Sequence, residues 1–281
     1  MKKIGILYHP MKEGAQHFAQ EIQQLLNSRD MTSWLCSAWD TSKALTLVND
    51  TDLMLTIGGD GTILRAAQVA LSARAPITGI NLGKLGFMTE LSADEAIAKL
   101  PALLDGQGWL DERAMLEAEI ETEATKASRP YFALNDVVVA RGAIPRTVNI
   151  EATIDGEPLT NYRGDGVIVA TATGSTSYSL AAGGPILHPQ SADFLLVPIV
   201  PHLSLSYTLV LPASATVRLR ISTVHQAVFS IDGHINVPVD NGTTITVRRS
   251  AKWVRFLRLQ PKNTFYSHLE QKLKGKHQFE H

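Results

Sequence analysis

A single cysteine, Cys36, stands in a chain of 281 residues, so no intrachain disulfide can form and the fold must rest on its packed core. Its neighbours Trp34 and Leu35 predict a buried, unreactive thiol. No apolar run approaches the ~20 residues of a membrane-spanning helix. The N-terminal stretch MKKIGILYHP has too short an apolar segment for a secretory signal and is stopped at Pro10. The expectation is a cytoplasmic protein with no membrane partner. Neither sign of charge dominates: 26 basic and 27 acidic side chains leave a net charge of -1, so nothing demands a polyanionic partner, and no nucleic acid is expected. The histidines have no ligand spacing with one another or with Cys36, which argues against a structural zinc. A Walker A lysine motif and a protein-kinase catalytic loop are both missing, so those two phosphoryl-transfer schemes are excluded.

The most informative segment present is Gly58-Gly59-Asp60-Gly61-Thr62. It follows a strand-like run, Asp52 to Ile57, and opens a helix-like run from Ile63 to Ala73. Glycines let backbone approach a ligand closely, and the N–H groups at a helix N-terminus favour anions. A carboxylate in such a turn repels a bare phosphate unless a cation or a moving proton is involved. The combination points to phosphoryl transfer, with Asp60 as the proton acceptor; the plainer reading is a glycine-rich turn with Asp60 as a helix cap.

The first 110 residues alternate strand and helix signals. Ile4–Tyr8, Thr32–Cys36, Leu53–Ile57 and Ile77–Ile80 read as strands. Gly14–Ser28, Asp40–Leu47, Ile63–Ala73 and Ala93–Leu104 read as helices, the last with Ile97, Leu100, Leu103 and Leu104 as its apolar stripe. This predicts an α/β domain with a mostly parallel sheet, whose ligand loops lie at the carboxyl ends of the strands: Tyr8–Gly14, Gly58–Thr62 and Asn81–Phe87.

Residues 111–260 change character and predict a β-rich, sandwich-like domain. Strand candidates are Met115–Glu123, Ala133–Ala140, Val148–Ile154, Asp165–Ala170, Phe194–Pro198, Ser206–Leu211, Thr216–Ile221, Ala227–Ile231 and Thr244–Arg249. Asp155-Gly156, Asp232-Gly233 and Asn241-Gly242 signal turns. Val254–Leu259 reads as a last strand able to return to the first domain. Residues 261–281 form a C-terminal segment whose tail, from His268, is polar and reads as frayed. The basic cluster Arg248, Arg249, Lys252, Arg255 and Arg258 reads as a solvated face or subunit rim.

A second constellation, Arg163 to Pro189 (RGDGVIVATATGSTSYSLAAGGPILHP), is dense in Gly, Ser and Thr. Its hydroxyls and N–H groups can satisfy a base edge, a ribose or a phosphate, and Asp165 can accept from ligand hydroxyls. On residue type alone, a ligand site and a glycine-rich structural loop are equally good readings.

With both segments in view, the chain resembles the NAD kinase family, and its bacterial members most closely. Gly58–Thr62 matches the family's GGDGT, Asn81–Phe87 its LGxLGF loop, Asn135-Asp136 its Asn-Glu pair, and Arg163–Pro189 its long signature. The resemblance runs from the first strand to about residue 260. It implies transfer of the γ-phosphoryl group of ATP to the 2′-hydroxyl of the adenosine ribose of NAD; the sequence does not say whether inorganic polyphosphate can replace ATP. A divalent cation, Mg²⁺ or Mn²⁺, would accompany the phosphates. Asp60 would be the general base, with Gly58, Gly59, Gly61 and Thr62 shaping the phosphate side. Phe87 would pack on the adenosine end, and Asn135 and Asp136 would bind ribose or base. Arg163 belongs to the same substrate set, and Asp165 would hold the nicotinamide side. Thr173, Thr176, Ser177 and Tyr178 would line the pocket, and Asp232 would sit near the diphosphate or the metal. A homodimer or homotetramer is implied, in which subunits contribute to each other's sites.

Four departures from the family pattern stand out: Asp136 for glutamate, Ala172 for proline, Ser177 for alanine, and Leu203–Tyr207 without the usual Arg-Pro pair. Competing readings are a lipid or sphingoid-base kinase, a sugar-phosphate kinase, and a non-catalytic nucleotide-binding regulator. The long second signature argues against the first, and the retained Asp60 against the last.

Overall fold

The computed structural model describes residues 1–83, 86–122, 129–142, 146–201, 207–223, 225–262 and 264–277. The chain divides into two compact units, Met1–Glu112 with Val254–His281, and Arg113–Trp253. None of the described helices is long and apolar enough to cross a membrane.

In the first unit the chain runs β1 (Lys3–Tyr8), α1 (Ala15–Asn27), β2 (Thr32–Ser37), α2 (Thr41–Leu47), β3 (Leu53–Gly58), α3 (Asp60–Ala73), β4 (Ile77–Asn81), β5 (Leu91–Ser92) and α4 (Ala93–Leu104). Strands β2, β1, β3 and β4 lie side by side in that order, all parallel. β1 and β3 are continuous apolar runs because helices cover both faces of such a sheet. Helix α1 buries Ala15, Ala19, Ile22 and Leu26, one stripe at helical spacing. Helix α4 starts at Ser92, which forms a reciprocal capping box with Glu95, and buries Ala96, Leu100, Leu103 and Leu104. Ile97, expected in that stripe, is instead 44% exposed, and Ala96 occupies the inner face. The order 2-1-3-4 sends consecutive crossovers to opposite sides of β1. The crevice beyond the carboxyl ends of β1 and β3 is therefore the switch point at which open parallel sheets take their ligands.

The second unit continues with β6 (Trp109–Glu121, begun in the first unit), β7 (Tyr131–Ala133), β8 (Asp136–Arg141), β9 (Val148–Ile154), β10 (Glu157–Gly164), β11 (Gly166–Thr171), a 3₁₀ turn (Gly174–Thr176), α5 (Tyr178–Ala181), β12 (Phe194–Ile199), β13 (Leu209–Leu211), β14 (Thr216–Ser222), β15 (Ala227–Ile231), β16 (Ile235–Val239) and β17 (Thr244–Arg258), which re-enters the first unit. One antiparallel sheet has the order β13-β12-β11-β8-β15-β16. A second antiparallel set, β10-β9-β14-β17, packs against it. Val137, Val139, Val167, Val169, Phe194 and Leu196 from one sheet share a core with Ile150, Val217, Leu219, Ile245 and Val247 from the other. The spacing of two along each strand is the signature of a sandwich interior. The opposite face of the first sheet is also buried, through Val138, Ile168, Ala170, Leu195 and Val197, with Ala182 and Leu187 packed on it.

Several sequence expectations need correction. Ala133–Ala140 is two strands, broken at Leu134-Asn135, where the backbone turns toward other partners. Strands β10 and β16 were not expected. Each contains a proline, Pro158 and Pro238, and each is an edge strand, the position in a sheet that tolerates a missing N–H. The tail is helical through His277 as α6 (Thr264–His277). Residues 84–85 of the Asn81–Phe87 loop, Glu123, and the Leu203–Ser206 departure lie outside the described residues.

Candidate functional site

Asp60 opens α3 directly beyond β3. Its carboxylate is held by two backbone donors: Phe87 N–H to Oδ2 at 2.9 Å and Met88 N–H to Oδ1 at 3.1 Å. Each oxygen keeps a lone pair for a further donor. The glycines around it serve different purposes. A Cβ on Gly58 would lie 2.2 Å from Thr62 Oγ1, and one on Gly86 would lie 2.2 Å from Asp60 Oδ1, so both positions need glycine for close packing. A Cβ on Gly59 or Gly61 would meet nothing within 4 Å, so these two face open space. Thr62 is fully buried, and its Oγ1 has no hydrogen-bond partner among the described residues. Phe87 is half-buried, with the Lys272 ammonium of α6 5.8 Å from its ring centre.

The same edge of the sheet carries His9 and Lys12 of the expected Tyr8–Gly14 ligand loop, and Arg65 and Trp39, which the sequence patterns did not single out. Arg65 lies over Trp39, its guanidinium 4.2 Å from the ring centre, and His9 contacts the same indole at 4.4 Å. Lys12 reaches Asn81 Oδ1 at 3.5 Å. Burial, together with the charges of Lys12 and Arg65, holds the His9 imidazole below its ordinary pKa. Lys12 and Arg65 thus put two basic side chains at the crevice that also holds the Asp60 carboxylate.

In the second unit the candidate residues fall into two groups. Asn135, Asp136, Thr173, Thr176 and Asp232 converge at one end of β8 and β11, and all are at most 7% exposed. Asp232 organises this end. Its carboxylate accepts from the N–H groups of Leu134 at 3.0 Å, Asn135 at 2.7 Å and Asp136 at 3.1 Å. It sits in a left-handed turn with Gly233, at φ 51° and 67°. Thr171 ties the other side, its Oγ1 donating to the Leu134 carbonyl at 2.6 Å and its N–H to the Asn135 carbonyl at 2.9 Å. A Cβ on Gly174 would lie 2.0 Å from that Asn135 oxygen, so the segment Thr173–Thr176 folds tightly over the pair. The Asn135 Oδ1 is buried and has no hydrogen-bond partner among the described residues. Asp136 is pushed up to about 7, first by burial and then by the neighbouring Asp232 charge. Arg113 donates to Thr173 Oγ1 at 3.3 Å. Ser177 is half-buried and Tyr178 is 46% exposed beside this group.

Arg163 and Asp165 lie elsewhere. Asp165 precedes β11 and is paired with Arg141 at 2.8 Å. It is six residues of strand, about 20 Å, from Thr171. Arg163 projects into a groove of about 580 Å³ that is also lined by Arg146, Asn149, Thr223, His225 and Asn241. Arg146 and His225 lie 3.3 Å apart. Sequence patterns gave no signal for Arg146 or His225, because neither belongs to a motif and only strand pairing brings them to Arg163. Asp232, with three backbone donors on its carboxylate, orders the Asn135-Asp136 backbone.

The sequence model of the ATP-NAD kinase N-terminal domain matches residues 12–108, and that of the ATP-NAD kinase C-terminal domain matches residues 134–259. An NAD kinase of Dehalococcoides mccartyi is 50% identical over 274 residues, 98% of this chain and 96% of the relative. One from Chloroflexus aurantiacus is 39% identical over 98% of this chain and 99% of its own. Among solved structures, yeast NADH kinase complexed with NADH superimposes with a TM-score of 0.84 at 26% identity, covering 99% of this chain and 89% of that one. With both domain models matched in order and relatives aligned along nearly the whole length, the chain belongs to the ATP-NAD kinase family.

Proposed function

We propose that this chain phosphorylates NAD, moving the γ-phosphoryl group of ATP to the 2′-hydroxyl of the adenosine ribose. The bond from γ-phosphorus to the leaving ADP oxygen breaks, the bond to the ribose oxygen forms, and the hydroxyl proton passes to Asp60. The observation that carries this reading is the Asp60 carboxylate, oriented by two N–H groups, partly exposed at the switch point and flanked by two glycines with open space before them. An alcohol must lose its proton as it attacks, and a positioned carboxylate is suited to take it. Gly58, Gly59, Gly61 and Thr62 shape the donor side, and Phe87 borders the acceptor. Asn135, Asp136, Thr173, Thr176, Ser177 and Tyr178 bind the dinucleotide, with Asp232 holding their backbone in place. Mg²⁺ or Mn²⁺ arrives with the triphosphate as part of the donor. The described residues gather no group of three or more His, Cys, Asp or Glu side chains for a resident ion, and phosphate oxygens supply most ligands to such cations.

Asp165, about 20 Å along the strand from Thr171, and Arg163 of the preceding strand complete a site on another copy of the chain in a homodimer or homotetramer. The exposed Val200, Tyr207 and Val210 at the edge of the first antiparallel sheet support self-association. The test is a coupled NADP-formation assay with NAD, Mg²⁺ and ATP, run on the wild type and on Asp60→Asn. NADP from the wild type, with kcat of the variant lower by about 10²-fold or more, is the expected result. A variant keeping more than about a tenth of wild-type kcat overturns the role given to Asp60.

A further inference from the structure

Arg258 lies near the end of β17 within the first unit and is 6% exposed. This corrects its expected place on a solvated basic face. Its Nη1 and Nε donors are engaged: Nη1 to the Met88 carbonyl at 2.7 Å and to Glu90 Oε2 at 3.2 Å, and Nε to Asp111 Oδ2 at 3.3 Å. Glu90 is held in turn by the N–H groups of Leu259 and Gln260, both at 2.8 Å, and its own carbonyl accepts from the Gln260 side chain at 3.1 Å. The segment 88–90 is thereby fastened to the end of the last strand.

That segment continues the backbone that holds Asp60. Met88 carries both links: its N–H donates to Asp60 Oδ1 at 3.1 Å, and its carbonyl accepts from Arg258 at 2.7 Å. One peptide residue thus separates the buried guanidinium from the carboxylate. Burying three charged side chains is poor value for stability alone, since well-packed apolar residues often do as well. A fork of rigid donors serves three acceptors in different directions, which a lysine ammonium on a flexible stem does not reproduce.

We propose that Arg258 is a positioning residue for Asp60, fixing the 86–90 segment so that the Phe87 and Met88 N–H groups set the carboxylate's orientation. The proposal rests on the reading of Asp60 as the base, and its test reads geometry and catalysis separately. Arg258→Lys keeps the charge and loses the fork. Its kcat is expected to fall about tenfold or more, with KM for NAD and for ATP within about twofold, because small misplacements of a catalytic group act on the chemical step. Amide hydrogen exchange across 86–90 should accelerate about tenfold while exchange in β3 and α3 stays as in wild type. Arg258→Met/Asp111→Asn, which removes one charge of each sign, gives a second reading if the lysine variant folds poorly. Wild-type kcat together with unchanged exchange at 86–90 overturns the proposal, and so does faster exchange spread evenly over the whole first unit, which marks a purely structural role. If Asp60→Asn proves active, the base reading fails, and exchange at 86–90 in the Arg258 variants still decides whether this arginine holds the Asp60 contacts.

Discussion

Replacing Asp136 by asparagine should stabilise the protein, and by an amount that grows with pH. The carboxyl is 4% exposed, and burial followed by the Asp232 charge raises it from its ordinary 3.8 to about 7. Between those two values the folded protein binds a proton that the unfolded chain releases, so stability falls as pH rises from about 4 to about 7. The raised carboxyl corresponds to roughly 4 kcal/mol at pH 8 and roughly 2 kcal/mol at pH 5. An amide cannot ionise, so the advantage of Asp136→Asn over wild type should widen by roughly 2 kcal/mol between pH 5 and pH 8. Urea unfolding at pH 5, 6.5 and 8, with equal m-values for the two proteins, measures this directly. A difference that stays flat over that range, or shrinks as pH rises, would refute the reasoning, because it would mean that Asp136 is already ionised in the folded state at pH 5.

Two further substitutions test the geometry around each carboxylate. Gly86→Ala puts a Cβ 2.2 Å from Asp60 Oδ1, 2.6 Å from Cγ and 2.7 Å from Oδ2. The carboxylate must move by about 1 Å, which should lower kcat on the order of 10²-fold with little change in Tm, and wild-type turnover would count against the arrangement described. Asp232→Asn turns an N–H₂ group toward backbone donors now served by carboxylate oxygens. The unsatisfied donor should cost about 1–3 kcal/mol, seen as a lower Tm at pH 7, and an unchanged Tm would show that Asp232 does not order the Asn135-Asp136 backbone.

Much of the first unit is written in local pattern. The apolar runs of β1 and β3 and the stripe of α1 are visible because burial on both faces, or on one, leaves a period in the sequence. The hairpin turns at Asp155-Gly156 and Asp232-Gly233 are equally visible, since both residues of each pair take positive φ. Edge strands β10 and β16 are not, because edges carry polar residues and proline. Asp60 is legible for its chemistry, but what holds it is not: Met88 and Arg258 are 170 residues apart and meet only through the sheet. Arg258 reads as one more exposed basic residue because its acid partners, Glu90 and Asp111, come from other strands and loops. In the same way Asp232, whose motif suggests a ligand, is revealed as a backbone organiser only by three donors nearly a hundred residues away in sequence.

The first unit is assembled from two separate pieces of sequence, and this matters during synthesis. At ~5–20 residues per second the ribosome delivers β1 to α4 early, then the whole of Arg113–Trp253, and only at the end Val254 onward. The second unit is contiguous and can complete its sandwich while the chain is still attached. The first must wait, with the 86–90 segment unanchored, until Arg258 emerges. A truncated product that stops after Trp253 would therefore carry every residue of the GGDGT turn and still lack a fixed base, so premature termination there should release a folded β-rich body joined to an unfinished α/β unit that cannot turn over.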